Sequence, residues 1–77
     1  MEPYQPVACA FHEGLEFAVL RRQRLRLHYR TETGEIEAVV LPIDVATRDG
    51  AEWLTFQAES GANQVIRLDA IVSAQPA

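Results

Sequence analysis

The chain has 77 residues, of which 48% are apolar, and a formal net charge of −4. This composition favours one folded domain with a thin core and excludes a chain that is disordered throughout. No apolar run approaches the ~20 residues that a membrane-spanning helix needs, and the N-terminus lacks the segments of a signal peptide. Cys9 is the only cysteine, which excludes an internal disulfide and a Cys-based zinc site and favours a reducing cytoplasm.

The charges are distributed unevenly along the chain. All seven basic residues are Arg, and five of them lie within residues 21–30. The rest of the chain has two Arg against eleven acidic residues, a local balance of −9. Such a chain repels nucleic-acid phosphates and is attracted to a basic protein surface.

The N-terminal part of the sequence predicts an extended arm followed by a helix. Residues 1–8 contain Pro3 and Pro6, which favour extended backbone. Residues 11–22 have the spacing of a helix with one apolar stripe. The stripe consists of Phe11, Leu15, Ala18 and Val19, with the aliphatic stem of Arg22 at its edge. A helix this short needs a surface on which to dock.

After the helix, the period of the apolar residues changes from 3.6 to 2. Residues 24–31 alternate as a half-buried strand. Residues 35–45 predict a second strand, bent by a bulge at Pro42 because proline cannot donate to the ladder. Asp49-Gly50 is a hairpin turn signal, and shorter strands follow at 53–56, 64–68 and 71–73. The pattern predicts a mainly β fold, a small Sm-like or SH3-like five-stranded antiparallel barrel over about 24–73 with one N-terminal α-helix.

Short motifs occur in a particular order along residues 4–73. They are Tyr4-Gln5-Pro6 before Cys9, Leu15-Glu16, Asp44 and Thr47-Arg48, Glu52-Trp53-Leu54, and Arg67-Leu68-Asp69 before Ile71. In these motifs the chain resembles the Rof family, small proteins that bind transcription termination factor Rho and inhibit termination. The resemblance implies a single Rof-like domain over 1–77, a cytoplasmic inhibitor without catalytic role or cofactor, and a monomer when free. Its partner would be the RNA-binding N-terminal domain of the Rho hexamer, where it would compete with RNA.

Six residues are expected to contact Rho if the resemblance holds: His12, Glu13, Glu16, Phe17, Arg48 and Asp49. Glu13 and Glu16 are three residues apart and share one helix face. Family members can carry several acids just after the cysteine, whereas here Ala10-Phe11-His12 follows it. The sequence therefore predicts a weaker electrostatic contribution, with Phe11, His12 or Phe17 supplying packing instead.

The Arg-rich stretch supports an alternative function. Arg24, Arg26 and Arg30 lie with His28 on one face of the first strand, and an Sm-like RNA-binding module would use residues 21–30 for phosphate contact. The net charge and the lack of interleaved aromatic residues argue against direct nucleic-acid binding. A solvated strand face paired with Glu35 and Glu37 is the favoured interpretation.

The remaining candidates predict structure rather than chemistry. Cys9 is interpreted as a small buried hydrophobe. Arg67 and Asp69 either serve function or form a structural pair that fixes the connection between the last two strands. His12 and Glu16 have a spacing that suits a metal, but two ligands do not make a site. No nucleophile motif or catalytic carboxylate pair is present, so an enzyme is not expected. Homo-oligomers formed through barrel edges are a third possibility.

Overall fold

The computed structural model describes residues 3–77 and confirms a mainly β fold with one N-terminal helix. Within this range, the elements in chain order are α1 (Cys9–Arg21), β1 (Leu25–Thr31), β2 (Gly34–Arg48), β3 (Ala51–Gln57), β4 (Asn63–Arg67) and β5 (Ile71–Pro76). The strands form one antiparallel sheet in the order β4-β3-β2-β1-β5. A 3₁₀ turn, Leu68–Ala70, joins the two outermost strands, so the sheet curves into a small barrel-like fold.

Strand β2 makes this curvature possible because two different strands pair with its two halves. Its first half pairs with β1 and its second half with β3, and the register shifts between Pro42 and Asp44. Ile43 is the additional residue and is 41% exposed, whereas Pro42 is buried. The predicted bulge at Pro42 is therefore confirmed. The bulge lets β2 bend around the core while it keeps its hydrogen-bond ladders with β1 and with β3.

The core lies between the curved sheet and α1. Its largest fully buried side chains are Phe56, Leu27, Leu54, Leu68 and Val40. The ring of Tyr29 packs edge-on against Phe56, with centroids 5.7 Å apart. Leu15 and Ala18 bring α1 into the same cluster, so the helix has the docking surface that its short length requires.

The ends of α1 differ from those predicted. The helix ends at Arg21, and Arg22 has φ 52° in the left-handed region, where its N–H donates to the carbonyls of Ala18 and Val19. Assigning Arg22 to the helical stripe was therefore wrong, because the chain reverses there to enter β1.

The helix also begins two residues earlier than predicted, and this changes the interpretation of Cys9. Cys9 is exposed rather than buried, because it lies four and seven residues before Glu13 and Glu16 and shares their solvent face. With the start at Cys9, no acidic residue lies in the first turn. Glu13 therefore lies beyond the part of the helix where the dipole stabilises an acid, since that effect falls off within one turn.

Replacing either of two glycines by alanine is expected to change the free energy of unfolding, with opposite signs. Gly50 follows Asp49 in the two-residue turn, and both have positive φ (75° and 53°), as a type I′ hairpin turn requires. We expect Gly50→Ala to lower the free energy of unfolding by about 1 kcal/mol. Gly14 lies within α1, and no neighbouring atom outside the helix backbone lies within 4 Å of the position that a Cβ would occupy. Gly14→Ala should therefore raise the free energy of unfolding by up to about 1 kcal/mol. Urea denaturation measures both, and a change of the same sign in both variants would contradict the assignment.

Candidate partner-binding site

The outward face of α1 presents acidic and apolar side chains to solvent. Glu13 and Glu16 are exposed, Phe17 is 54% exposed and Leu20 is 77% exposed. Their spacing of three and four residues places them on one side of the helix, opposite the residues that enter the core. We call these four residues the outward face. It contains three of the six residues that the sequence predicted for partner contact.

His12 lies at the edge of this face, half-buried between two carboxylates. Its Nδ1 is 2.8 Å from Oε1 of Glu16, and its Nε2 is 2.8 Å from Oε2 of Glu52 in β3. The imidazole donates to both carboxylates only when both ring nitrogens carry a hydrogen. His12 therefore ties α1 to the start of β3 and orients Glu16, which makes it a positioning residue for the outward face.

Glu52 also holds the N-terminal arm. The hydroxyl of Tyr4 donates to Oε1 of Glu52 over 3.0 Å. Burial of the phenol, together with this hydrogen bond to a carboxylate, raises the pKa of Tyr4 to about 12. The arm, the helix and β3 are thus joined through one carboxylate.

This raised pKa predicts a stability change at alkaline pH. The protonated phenol stabilises the fold, so its contribution is present below the unfolded pKa of about 10 and is lost as the pH rises through about 12. We expect Tyr4→Phe to cost about 1 kcal/mol at neutral pH, and the difference from wild type to shrink between pH 10 and 12. Denaturation series at several pH values measure this, and a constant difference up to pH 12 would contradict it.

A second group of contacts also fixes the N-terminal arm. Arg67 donates from Nε and Nη2 to the two carboxylate oxygens of Asp69, over 3.0 and 2.5 Å. Asp69 also accepts from the backbone N–H of Gln5, and Nη2 of Arg67 reaches the carbonyl of Pro3. The guanidinium of Arg67 lies 5.6 Å from the centroid of the Tyr4 ring. The predicted pairing of Arg67 with Asp69 is confirmed, and it anchors the arm as well as the β4–β5 connection.

The predicted contact residues Arg48 and Asp49 lie at the β2–β3 turn. The Arg48 guanidinium stacks 5.3 Å from the centroid of the Trp53 ring. The backbone carbonyl of Arg48 accepts a hydrogen bond from the indole N–H of Trp53. Asp49 is exposed at the turn itself. Both residues line an open cleft with Tyr4 and Arg67, so this turn is a rim beside the anchored arm.

The predicted contact residues on α1 and those at the β2–β3 turn are linked only indirectly. Among the hydrogen bonds and ion pairs of residues 3–77, none joins the outward face directly to Arg48 or Asp49. His12 contacts Glu52, and Glu52 accepts from Tyr4, which lines the same cleft as Arg48 and Asp49. Sequence reasoning named Glu52 only as part of a motif and gave it no role in the site. The polar neighbours of Glu52 come from residues 4 and 12, and strand alternation carries no information about such distant partners.

Two residues of the Arg-rich face of β1, Arg26 and His28, are paired with glutamates of β2, as the favoured interpretation expected. Nε2 of His28 is 2.6 Å from Glu35, and Arg26 is 3.9 Å from Glu37. Arg30 donates to the carbonyl of Asp69. The two contacts with glutamates join β1 to β2 and reduce the positive potential that an RNA strand would meet.

Neither a metal centre nor a membrane span is apparent in the part of the chain that the structure describes. Within residues 3–77, no three His, Cys, Asp or Glu side chains are grouped so that they could bind a metal ion. No helix there has the length and hydropathy to cross a bilayer. The arrangement supplies charges, hydrogen bonds and apolar surface for binding.

Fold and site define a small barrel-like β domain that presents an acidic and apolar helix face. No protein-family model and no curated protein matches the chain. Among solved structures, it is similar to part of the proteasome accessory factor B/C (PafBC) of Arthrobacter aurescens, with a TM-score of 0.80 and 23% identity. The similarity covers 94% of this chain but only 12% of PafBC. It therefore establishes a shared fold alone.

Proposed function

We propose that this protein binds transcription termination factor Rho at its RNA-binding N-terminal domain and thereby inhibits Rho-dependent termination. The order of the motifs from Tyr4 to Ile71 suggests this partner. The outward face of α1 is the observation that carries the proposal. It holds Glu13 and Glu16 beside an exposed aromatic ring, on a helix fixed to the barrel by Leu15 and by His12.

Electrostatics supports a basic protein as the partner. Outside residues 21–30 the charge balance is −9, and a basic RNA-binding surface would be attracted to such a domain. Glu13 is exposed and makes no ion pair within residues 3–77, so its carboxylate is available to an arginine or lysine of the partner. An inhibitor of this kind would act by occupancy and in a fixed stoichiometry, without a cofactor.

The six predicted contact residues divide into three roles under this proposal. Glu13, Glu16 and Phe17 would touch Rho directly, and His12 would hold Glu16 in place. Arg48 and Asp49 would contact Rho at the rim. Direct RNA binding through residues 21–30 is the weaker alternative, because Glu35 and Glu37 lie against that stripe.

Calorimetry with the host's Rho hexamer tests the proposal. We expect binding that is abolished when a C-rich RNA oligonucleotide occupies Rho, because both ligands would compete for the same surface. A mobility-shift assay of this protein with the RNA alone is the control and should show no complex at low salt. If the protein does not bind Rho but does form a complex with the RNA, the proposal is wrong and residues 21–30 are the binding surface.

A further inference from the structure

Two large apolar side chains of the outward face remain exposed although the domain has a small core. Leu20 is 77% exposed and Phe17 is 54% exposed, more than any other large apolar residue found exposed in residues 3–77. They lie three residues apart on α1, so their side chains are neighbours. Exposed apolar side chains that adjoin one another inside a polar rim are the arrangement from which protein–protein contacts are built.

Charges of both signs border this apolar pair. Glu13 and Glu16 precede it along the helix and are exposed. Arg21 follows it, and its guanidinium lies 5.6 Å from the centroid of the Phe17 ring. The ring is thus partly covered by a cation of its own chain, and any partner surface would have to displace that cation or pack beside it.

We infer that Phe17 and Leu20 insert together into an apolar recess of the partner, bordered by the basic residues that meet Glu13 and Glu16. This rests on the proposed function and assigns to it a second source of affinity, one that RNA phosphates do not use. The acidic part of the contact is screened by salt, whereas apolar burial is not. The apolar pair would compensate for the acids that are absent after Cys9.

A basic protein fits this surface better than a second copy of the chain. A basic rim satisfies both Glu13 and Glu16, whereas a second copy would bring two acids and only one arginine, Arg21, to the same interface. Like charges opposed across an interface cost binding free energy. The pair therefore favours a hetero-complex.

Binding to Rho at two salt concentrations tests the inference. At about 50 mM and about 500 mM salt, the charge contribution is largely present and largely screened, respectively. We expect wild type to keep measurable affinity at high salt. The double variant Phe17→Ser/Leu20→Ser should bind ~10–100-fold more weakly at both salts. Val72→Ser is the matched control, because Val72 is 48% exposed on β5, and it should bind like wild type.

Arg21→Ala gives a change of the opposite sign. It removes a positive charge from the docking face and uncovers the Phe17 ring, so we expect Rho binding to tighten by ~2–5-fold at low salt. Circular dichroism confirms that each variant is folded.

The possible outcomes separate the inference from the proposed function. If wild type binds Rho and the double variant binds equally well, the apolar contact is wrong while the Rho proposal stands. If wild type does not bind Rho at either salt, both are wrong. If light scattering shows wild-type self-association that Leu20→Ser abolishes, the pair joins copies of this chain and the inference is overturned.

Discussion

Replacing Asp69 by Ala is expected to lower the free energy of unfolding by about 3 kcal/mol, a large share of the stability of a domain this small. The side chains of Arg67 and Asp69 are only 15% and 11% exposed. Without the carboxylate, the guanidinium would lose its two-point hydrogen bond and stay charged in a poorly solvated position. The N–H of Gln5 would also lose its acceptor, so the N-terminal arm should loosen.

The pH dependence of this effect has a definite sign. The hydrogen bonds from Arg67 hold the pKa of Asp69 below its usual value, despite the opposing effect of burial. The stabilisation is therefore present above the unfolded pKa of about 3.9 and is lost as the pH falls through the lower folded pKa. Denaturant midpoints of wild type and Asp69→Asn, measured from neutral pH to about pH 2, should converge under acid. Parallel curves over the whole range would contradict the assignment.

Much of the fold could be predicted from the sequence because two periodicities are clear. The alternation of Leu25, Leu27 and Tyr29 predicted a strand, and all three are buried. Asp49-Gly50 predicted a hairpin, and Pro42 a bulge, because these residue types restrict the backbone in ways that few structures accommodate. These signals are local, and local steric preferences do not depend on the rest of the fold.

The parts that could not be predicted depend on contacts between distant residues. The role of Glu52 requires knowing that Tyr4 and His12 meet it, across 48 and 40 positions of sequence. Cys9 was placed in the core because a cysteine is usually buried, but the true start of α1 turns it toward solvent. An early error in a helix boundary thus changes which side of the helix each flanking residue occupies.

Reversing both acids of the outward face is expected to weaken Rho binding by about 100-fold at low salt, because each lysine would meet a basic residue of the partner. The double variant is Glu13→Lys/Glu16→Lys, and calorimetry or fluorescence anisotropy with Rho measures the loss. Raising the salt should reduce the difference in Rho affinity between the variant and wild type, since screening weakens attraction and repulsion alike. A salt-independent difference would mean that the acids act by shape and not by charge.

Two controls separate a local contact from the field of the whole domain. Glu32→Lys/Glu59→Lys changes the net charge equally but at two exposed turn positions away from α1, so it should affect the association rate modestly and leave most of the affinity. Glu13→Lys alone leaves the His12–Glu16 contact intact and should leave the free energy of unfolding unchanged. If Glu13→Lys binds Rho as wild type does while the Glu32→Lys/Glu59→Lys variant fails to bind, the partner surface lies on the turns and not on the helix.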